Sequence, residues 1–379
     1  MQERGAAMLH SFKKSALLGV LLALAVAPAA VPGAADAKDI LLTGVKPDKI
    51  VMVDVKAREV IKTLEIPNAA PGNLTITPSP DGKIAYTIVN RWESVSGIDL
   101  DSGKEVFRAD FSSGKTRVKA MFAMDISPDG KELFVFQSPV KLGLGEYEVQ
   151  DTRVAVYNTA DGIGAKPVRL MPAPRRTAVM SLSKDGKKLY LLNWDLTVMD
   201  PMTGAVVDVH KVRNWGRANF GEPDILDVWP QWETAGVFST PYYVVRTDKS
   251  PDDPAAYKTG LLTLDLETDE FKMDGFEDTA VVIFSSVINP VRRNEAYMVY
   301  TTLSKVDMSK PLAERLVKRI NLDHTYYAVN VSSDGTEIYV GGTMDDIAVY
   351  STADLSRIGT IKMPDGGDQA LSSLRLIQR

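Results

Sequence analysis

The side chains that could do chemistry are few and scattered. Cysteine is absent, and histidine occurs three times, at His10, His210 and His324. Without cysteine the chain can hold no thiol nucleophile, no disulfide, no thiolate metal site and no Cys-x-x-Cys-His haem attachment. Neither His210 nor His324 has a second histidine two to four residues away, so the spacing of a histidine metal site is missing. The chain also lacks a Gly-x-Ser-x-Gly elbow and a phosphate-binding glycine loop. His324 reads as a residue packed at a strand start, with general-base work as the competing role.

Carboxylates are plentiful, but they recur in one phrase. Ser79-Pro80-Asp81-Gly82-Lys83, Ser127-Pro128-Asp129-Gly130-Lys131, Ser183-Lys184-Asp185-Gly186-Lys187 and Ser333-Asp334-Gly335-Thr336 each precede a short apolar run. Asp-Gly supplies the positive φ of a tight hairpin, so each phrase reads as strand, turn, strand. The aspartates are accordingly turn formers that bond nearby backbone N–H groups rather than acids in a site.

Repetition at this period means one supersecondary unit stacked many times. Asp81 and Asp129 lie 48 residues apart, Asp129 and Asp185 56, and Asp185 and Asp334 149. The long interval has room for two degenerate copies, around Trp232-Glu233-Thr234-Ala235-Gly236 and Ile288-Asn289-Pro290-Val291-Arg292. A second phrase, an apolar strand followed by Asp and a polar pair or Thr-Gly, comes after most turns, as at Ile98 to Gly103, Val198 to Gly204 and Leu264 to Thr268. Four short strands in about 45 residues mark a β-propeller blade.

Six blades come from the turns. A seventh comes from the ends: Lys49 to Ile66 reads as two outer strands and Leu371 to Ile377 as an inner one. Joining them closes the ring and removes a free edge. The expected fold is an all-β, seven-bladed propeller with four-stranded blades, its N- and C-terminal strands sharing one blade.

Lys13-Lys14 followed by an apolar run from Ala16 to Ala27 reads as a secretory signal peptide, too short to span a bilayer comfortably. Ala35-Asp36-Ala37 offers the cleavage site, giving a leader at 1–37 and a propeller domain at 38–379. The exported chain is expected in the periplasm, without a membrane anchor. A net charge of −5 and the lack of a basic run argue against nucleic acid as a partner.

Three segments interrupt the repeat: Val140 to Thr152, Lys211 to Gln231 with Trp215, Phe220 and Trp229, and Arg246 to Thr259. Such insertions map to loops, often on a binding face. Phe122, Phe284 and Tyr327 share one position, seven residues before the turn, and are expected at the start of inner strands near a channel mouth. They would form either an apolar pocket for a ligand or partner, or packing between blades. His324, Tyr326, Trp215 and Trp229 join them as candidates for that pocket or interface. No residue is assigned a catalytic, cofactor-binding or metal-binding role.

The wording of the chain resembles the β subunit of quinohemoprotein amine dehydrogenase. The resemblance runs through Ile84 to Asn90, Val118 to Phe122, Gln137 to Val140, Glu148 to Ala155, Tyr257 to Thr263 and His324 to Val331. It implies a periplasmic heterotrimer. The α subunit is a dihaem cytochrome c, and a small γ subunit carries cysteine tryptophylquinone. Primary amines are oxidised to aldehydes and ammonia, and the propeller subunit carries no redox group. The missing cysteine agrees, because this chain can make neither the quinone crosslink nor a covalent haem. Alone it is expected to be inactive, serving as platform and one wall of the amine pocket. The competing functions are a free-standing lactonase-like propeller and an exported scaffolding or binding propeller.

Overall fold

The computed structural model describes residues 37–379, apart from 74, 226–230 and 370–372. The leader expected at 1–37 therefore lies outside the described residues, except for Ala37.

The chain folds as a seven-bladed β-propeller. The first blade is Ile76–Pro78, Ile84–Val89, Ser94–Asp99 and Glu105–Asp110, paired antiparallel in that order. The second is Met124–Ile126, Glu132–Leu142, Arg153–Asn158 and Pro167–Pro172, and the third Val179–Leu182, Leu189–Leu192, Leu196–Met199 and Val206–His210. The fifth is Ser285–Ile288, Glu295–Val299, Thr302–Asp307 and Leu316–Asn321, and the sixth Ala328–Val331, Glu337–Gly341, Asp346–Ser351 and Arg357–Lys362.

In the fourth blade the described strands are Val237–Val245, Tyr257–Asp265 and Phe271–Glu277. Residues 226–230, which precede these strands, lie outside those described. Asp224 and Tyr243 exchange backbone hydrogen bonds of 2.8 and 2.9 Å just ahead of that stretch.

The split blade differs from the sequence reading in one strand. Its order is Leu374–Gln378, Asp39–Val45, Lys49–Asp54, Glu59–Glu65. Asp39–Val45 was not anticipated. It pairs with Lys49–Asp54 on one side and with the C-terminal strand on the other. Its turn, Lys46-Pro47-Asp48, lacks the Ser-x-Asp-Gly phrase that marks the other blades, and a strand buried on both faces does not alternate.

The turns do what their residues dictate. Ser127 Oγ donates to Asp129 at 2.7 Å and accepts from the N–H groups of Lys131 and Glu132 at 3.1 and 2.9 Å. The same arrangement recurs at Ser79/Asp81 and Ser332/Asp334, and at Ser183/Asp185 with the Lys188 N–H alone on the serine. In the sixth blade the capping serine is thus Ser332 rather than Ser333. In the fifth, Asn289 substitutes for serine and accepts from Val291 and Arg292 N–H at 3.0 and 2.8 Å. Gly130, at φ 73°, takes the left-handed position this turn requires.

The core is not central. Among the described residues it is divided into seven apolar wedges, one between each pair of adjacent blades. Leu41, Val51, Tyr339 and Val349, for example, join the split blade to the sixth, and Tyr86, Val95, Leu133 and Ala155 join the first to the second. Seven wedges for seven interfaces mean that every blade face is covered, so the ring buries its apolar surface only when closed. Around the channel, side chains also lace neighbouring inner strands together. Thr77 Oγ1 donates to Met124 O, Asn330 Nδ2 donates to Leu374 O at 3.0 Å, and Ser373 Oγ accepts from Ile76 N at 3.0 Å.

Candidate functional site: the two mouths of the channel

The described inner strands all run the same way, so one rim carries their starts and the opposite rim carries the serine–aspartate turns. The first is an aromatic rim. Phe284, Tyr300 and Tyr327 cluster there, with ring centroids 4.2 Å apart for Phe284–Tyr300, 5.0 Å for Phe284–Tyr327 and 6.3 Å for Tyr300–Tyr327. Phe122 belongs to the second blade, yet it packs on the wedge between the sixth and split blades, as Phe284 and Tyr327 do. It also touches the wedge between its own blade and the first. Phe122 therefore reaches into the channel toward the wedge on which Phe284 and Tyr327, which share its repeat position, also pack. All three are half-buried. Tyr300 was missed by sequence reasoning because it ends a second strand and does not occupy the repeat position.

The other candidates separate. Tyr326 is fully buried between the fifth and sixth blades, its hydroxyl 3.2 Å from Asp323 and 3.3 Å from Asp346. Burial, then the carboxylates of Asp346 and Asp323, push its phenol above the ordinary range. His324 lies beside it, with ring centroids 3.9 Å apart, and both imidazole nitrogens face oxygens: Nδ1 the Thr325 carbonyl at 2.9 Å, Nε2 Asp346 at 2.8 Å. A ring held at both nitrogens is a strand-start anchor. Trp215 packs on the wedge between the third and fourth blades, edge-on to Phe220 and Tyr242, with Nε1 donating to Gly221 O at 2.9 Å. Trp229 lies outside the described residues. Among the described residues no three His, Asp or Glu side chains come together as a metal site, and no helix is long and apolar enough to cross a membrane.

The insertions reach the aromatic rim. The second strand of the second blade runs on past its blade and pairs there with Thr116–Lys119 and Tyr147–Val149. The resulting projection exposes Leu144, Tyr147 and Val149.

The turn rim holds a charged cavity that sequence reasoning did not find. It has a volume of about 510 Å³ and is lined by Thr77, Asp125, Trp232, Glu233, Ser333 and Arg375 among others. A neighbouring lobe of about 520 Å³ shares Asp125, Trp232 and Glu233. The Arg375 side chain is 4% exposed and ion-paired to Glu233, and Trp232 covers its guanidinium, 4.7 Å from the ring centroid. Asp125 accepts from Ile126 and Leu182 N–H at 2.9 and 2.7 Å. Burial nevertheless pushes its carboxyl up to about 6, against the pull of those N–H groups and of Arg375. Burial lowers Arg375 to about 10, with Asp125 opposing. The signal was present in the sequence: Asp125 and Arg375 are charges within inner strands whose neighbours are apolar.

No protein-family model matches the chain, and neither does any curated protein. Among solved structures the chain is similar to Kuenenia stuttgartiensis hydrazine synthase, with a TM-score of 0.55 and 15% identity, covering 82% of this chain and 90% of that one. It is also similar to a functionally unknown protein from Desulfotomaculum acetoxidans DSM 771, with a TM-score of 0.54 and 12% identity, covering 89% and 98%. The fold is common to 1363 solved chains, so these likenesses carry the architecture and no activity. The class is a single closed seven-bladed propeller, with an aromatic rim at one mouth of its channel and a charged cavity at the other.

Proposed function

We propose that this chain is the redox-cofactor-free propeller subunit of a periplasmic amine dehydrogenase complex. The complex oxidises primary amines to aldehydes and ammonia. Cysteine tryptophylquinone resides on a small partner subunit and c-type haems on a large one.

One observation carries the reading. The stretches through which the chain resembles that β subunit are far apart in sequence, yet each has one end at the aromatic rim. Ile84 to Asn90 runs up to it, Val118 to Phe122 enters it, and Gln137 to Val140 with Glu148 to Ala155 builds its projection. Tyr257 to Thr263 and His324 to Val331 start there. Distinctive wording that reaches one face in every stretch is what a surface fitted to particular partner chains requires, whereas the turn phrases at the other rim are generic propeller chemistry. The half-buried Phe122, Phe284 and Tyr327 supply an apolar wall of the kind that would border the alkyl or aryl part of an amine. The absence of cysteine requires both cofactors to sit elsewhere. A lactonase-like activity is the weaker reading, because no described acidic or histidine cluster converges on either mouth as a metal site.

Affinity purification of the tagged chain from its host's periplasm tests this. The expected product is a red complex with c-type haem absorbance and a small third chain. A colourless monomer at all stages would refute it.

A further inference from the structure

The cavity at the turn rim has the chemistry of a ligand site, and it is independent of the proposed amine oxidation. We propose that it binds a small monocarboxylate with an apolar body, the ligand's carboxylate replacing Glu233 on Arg375 and its body lying against Trp232.

Arg375 is fixed. It stands within the inner strand of the split blade, between Leu374 and Leu376, both buried in the wedge with the sixth blade. A guanidinium offers a planar fork of donors that matches a carboxylate. The carboxylate now on it belongs to a different kind of element. Glu233 lies in the turn Trp232–Gly236, closed by a Gly236 N–H to Trp232 O bond of 2.7 Å, and its side chain is 20% exposed against 4% for Arg375. A buried, strand-held cation paired with a turn-held anion at an open mouth is a pair that an incoming carboxylate can exchange into. Glu233 then turns to solvent while Arg375 stays satisfied.

The second acid does not compete. Asp125 keeps its two backbone N–H donors, so it stays in place as a wall of the cavity. Its presence limits the ligand to one negative charge, because a second carboxylate would face Asp125 in a poorly screened space. A volume of about 510 Å³ suits a small organic acid, and the Trp232 ring at the mouth favours one with an aryl or alkyl body.

Isothermal titration calorimetry of the protein as purified with its partner chains tests the proposal, with phenylacetate, acetate and succinate as probes. Phenylacetate should bind more tightly than acetate or succinate, with one site per propeller. Glu233→Gln removes the resident anion and should tighten phenylacetate about 5-fold or more. Trp232→Ala should abolish the preference for phenylacetate over acetate, and Arg375→Gln should abolish binding. Thermal melting confirms that each variant is folded. Should Arg375→Gln fail to fold, Glu233→Gln and Trp232→Ala decide. No binding of any probe to either wild type or Glu233→Gln overturns the proposal, as does an affinity unchanged by Glu233→Gln.

Discussion

Phe284 and Tyr327 stand one residue before the inner strands of neighbouring blades, with ring centroids 5.0 Å apart and planes inclined at 42°. Phe122, from the far side of the channel, packs on the same wedge. The rim is therefore a single apolar surface assembled from three blades, and its two roles can be separated by experiment.

On the proposed amine-oxidising role, Phe122→Ala should change the choice among amines. In the assembled complex, the ratio of kcat/KM for an arylalkylamine to that for a short alkylamine should fall by a factor equivalent to about 1–3 kcal/mol. Haem and quinone content should not change. An unchanged ratio with a lower Tm would mean that Phe122 serves packing alone.

Ring closure depends on the C-terminal strand. Deleting residues 374–379 removes Leu374, Leu376 and Ile377 from two wedges and leaves Asp39–Val45 as an open edge. Each lost buried aliphatic side chain costs about 2–5 kcal/mol, and the open edge invites pairing between molecules. Aggregation or a large drop in Tm is expected. A truncated protein that melts like the full chain would refute closure as the source of stability.

A single turn should matter modestly. Ser127→Ala removes the acceptor for two backbone N–H groups and a donor to Asp129. One net hydrogen bond in an exposed turn is worth about 1 kcal/mol, or roughly 2–4 °C in Tm for a domain of a few hundred residues. Differential scanning calorimetry of Ser127→Ala and Ser183→Ala should give similar small shifts, since each serine donates to its aspartate and accepts from the N–H at the opening of the next strand.

The Asp125 carboxyl gives a pH signature. Its folded value of about 6 lies above the ordinary 3.8, so the folded protein holds that proton more tightly than the unfolded one. Its contribution is most favourable below pH 4 and is lost as pH rises from about 4 to about 6. The turn aspartates Asp129 and Asp185 run the other way. Hydrogen bonds from Ser127 and Ser183 and from the N–H groups of Lys131 and Lys187 hold them at about 2, so their contribution is lost only as pH falls through the range from about 4 to about 2. Urea unfolding of wild type and Asp125→Asn between pH 4 and 7 isolates the difference. The wild type should lose stability relative to the variant across that window, and a constant difference would refute the assignment.

What was legible in the sequence follows from what repeats. The turns could be counted because Ser-x-Asp-Gly is local chemistry, complete within five residues. The shared place of Phe122, Phe284 and Tyr327 followed from the same count. Asp39–Val45 was not legible because its turn, Lys46-Pro47-Asp48, does not carry the repeating Ser-x-Asp-Gly phrase by which the blades were counted. Tyr326 looked like a neighbour of Tyr327 but points into the opposite packing layer, since adjacent strand residues face opposite ways. The Arg375–Glu233 pair joins residues more than a hundred positions apart, and only ring closure brings them together.

The central claim is that this propeller contributes a surface and no redox chemistry of its own. The direct measurement is primary-amine turnover, with an artificial electron acceptor, by the purified isolated chain and by the complex recovered from the periplasm. The account predicts that the isolated chain is colourless and inactive, and that the complex absorbs as a c-type cytochrome and turns over amines. Amine oxidation by the isolated chain, or a native preparation free of haem and of partner chains, would contradict it.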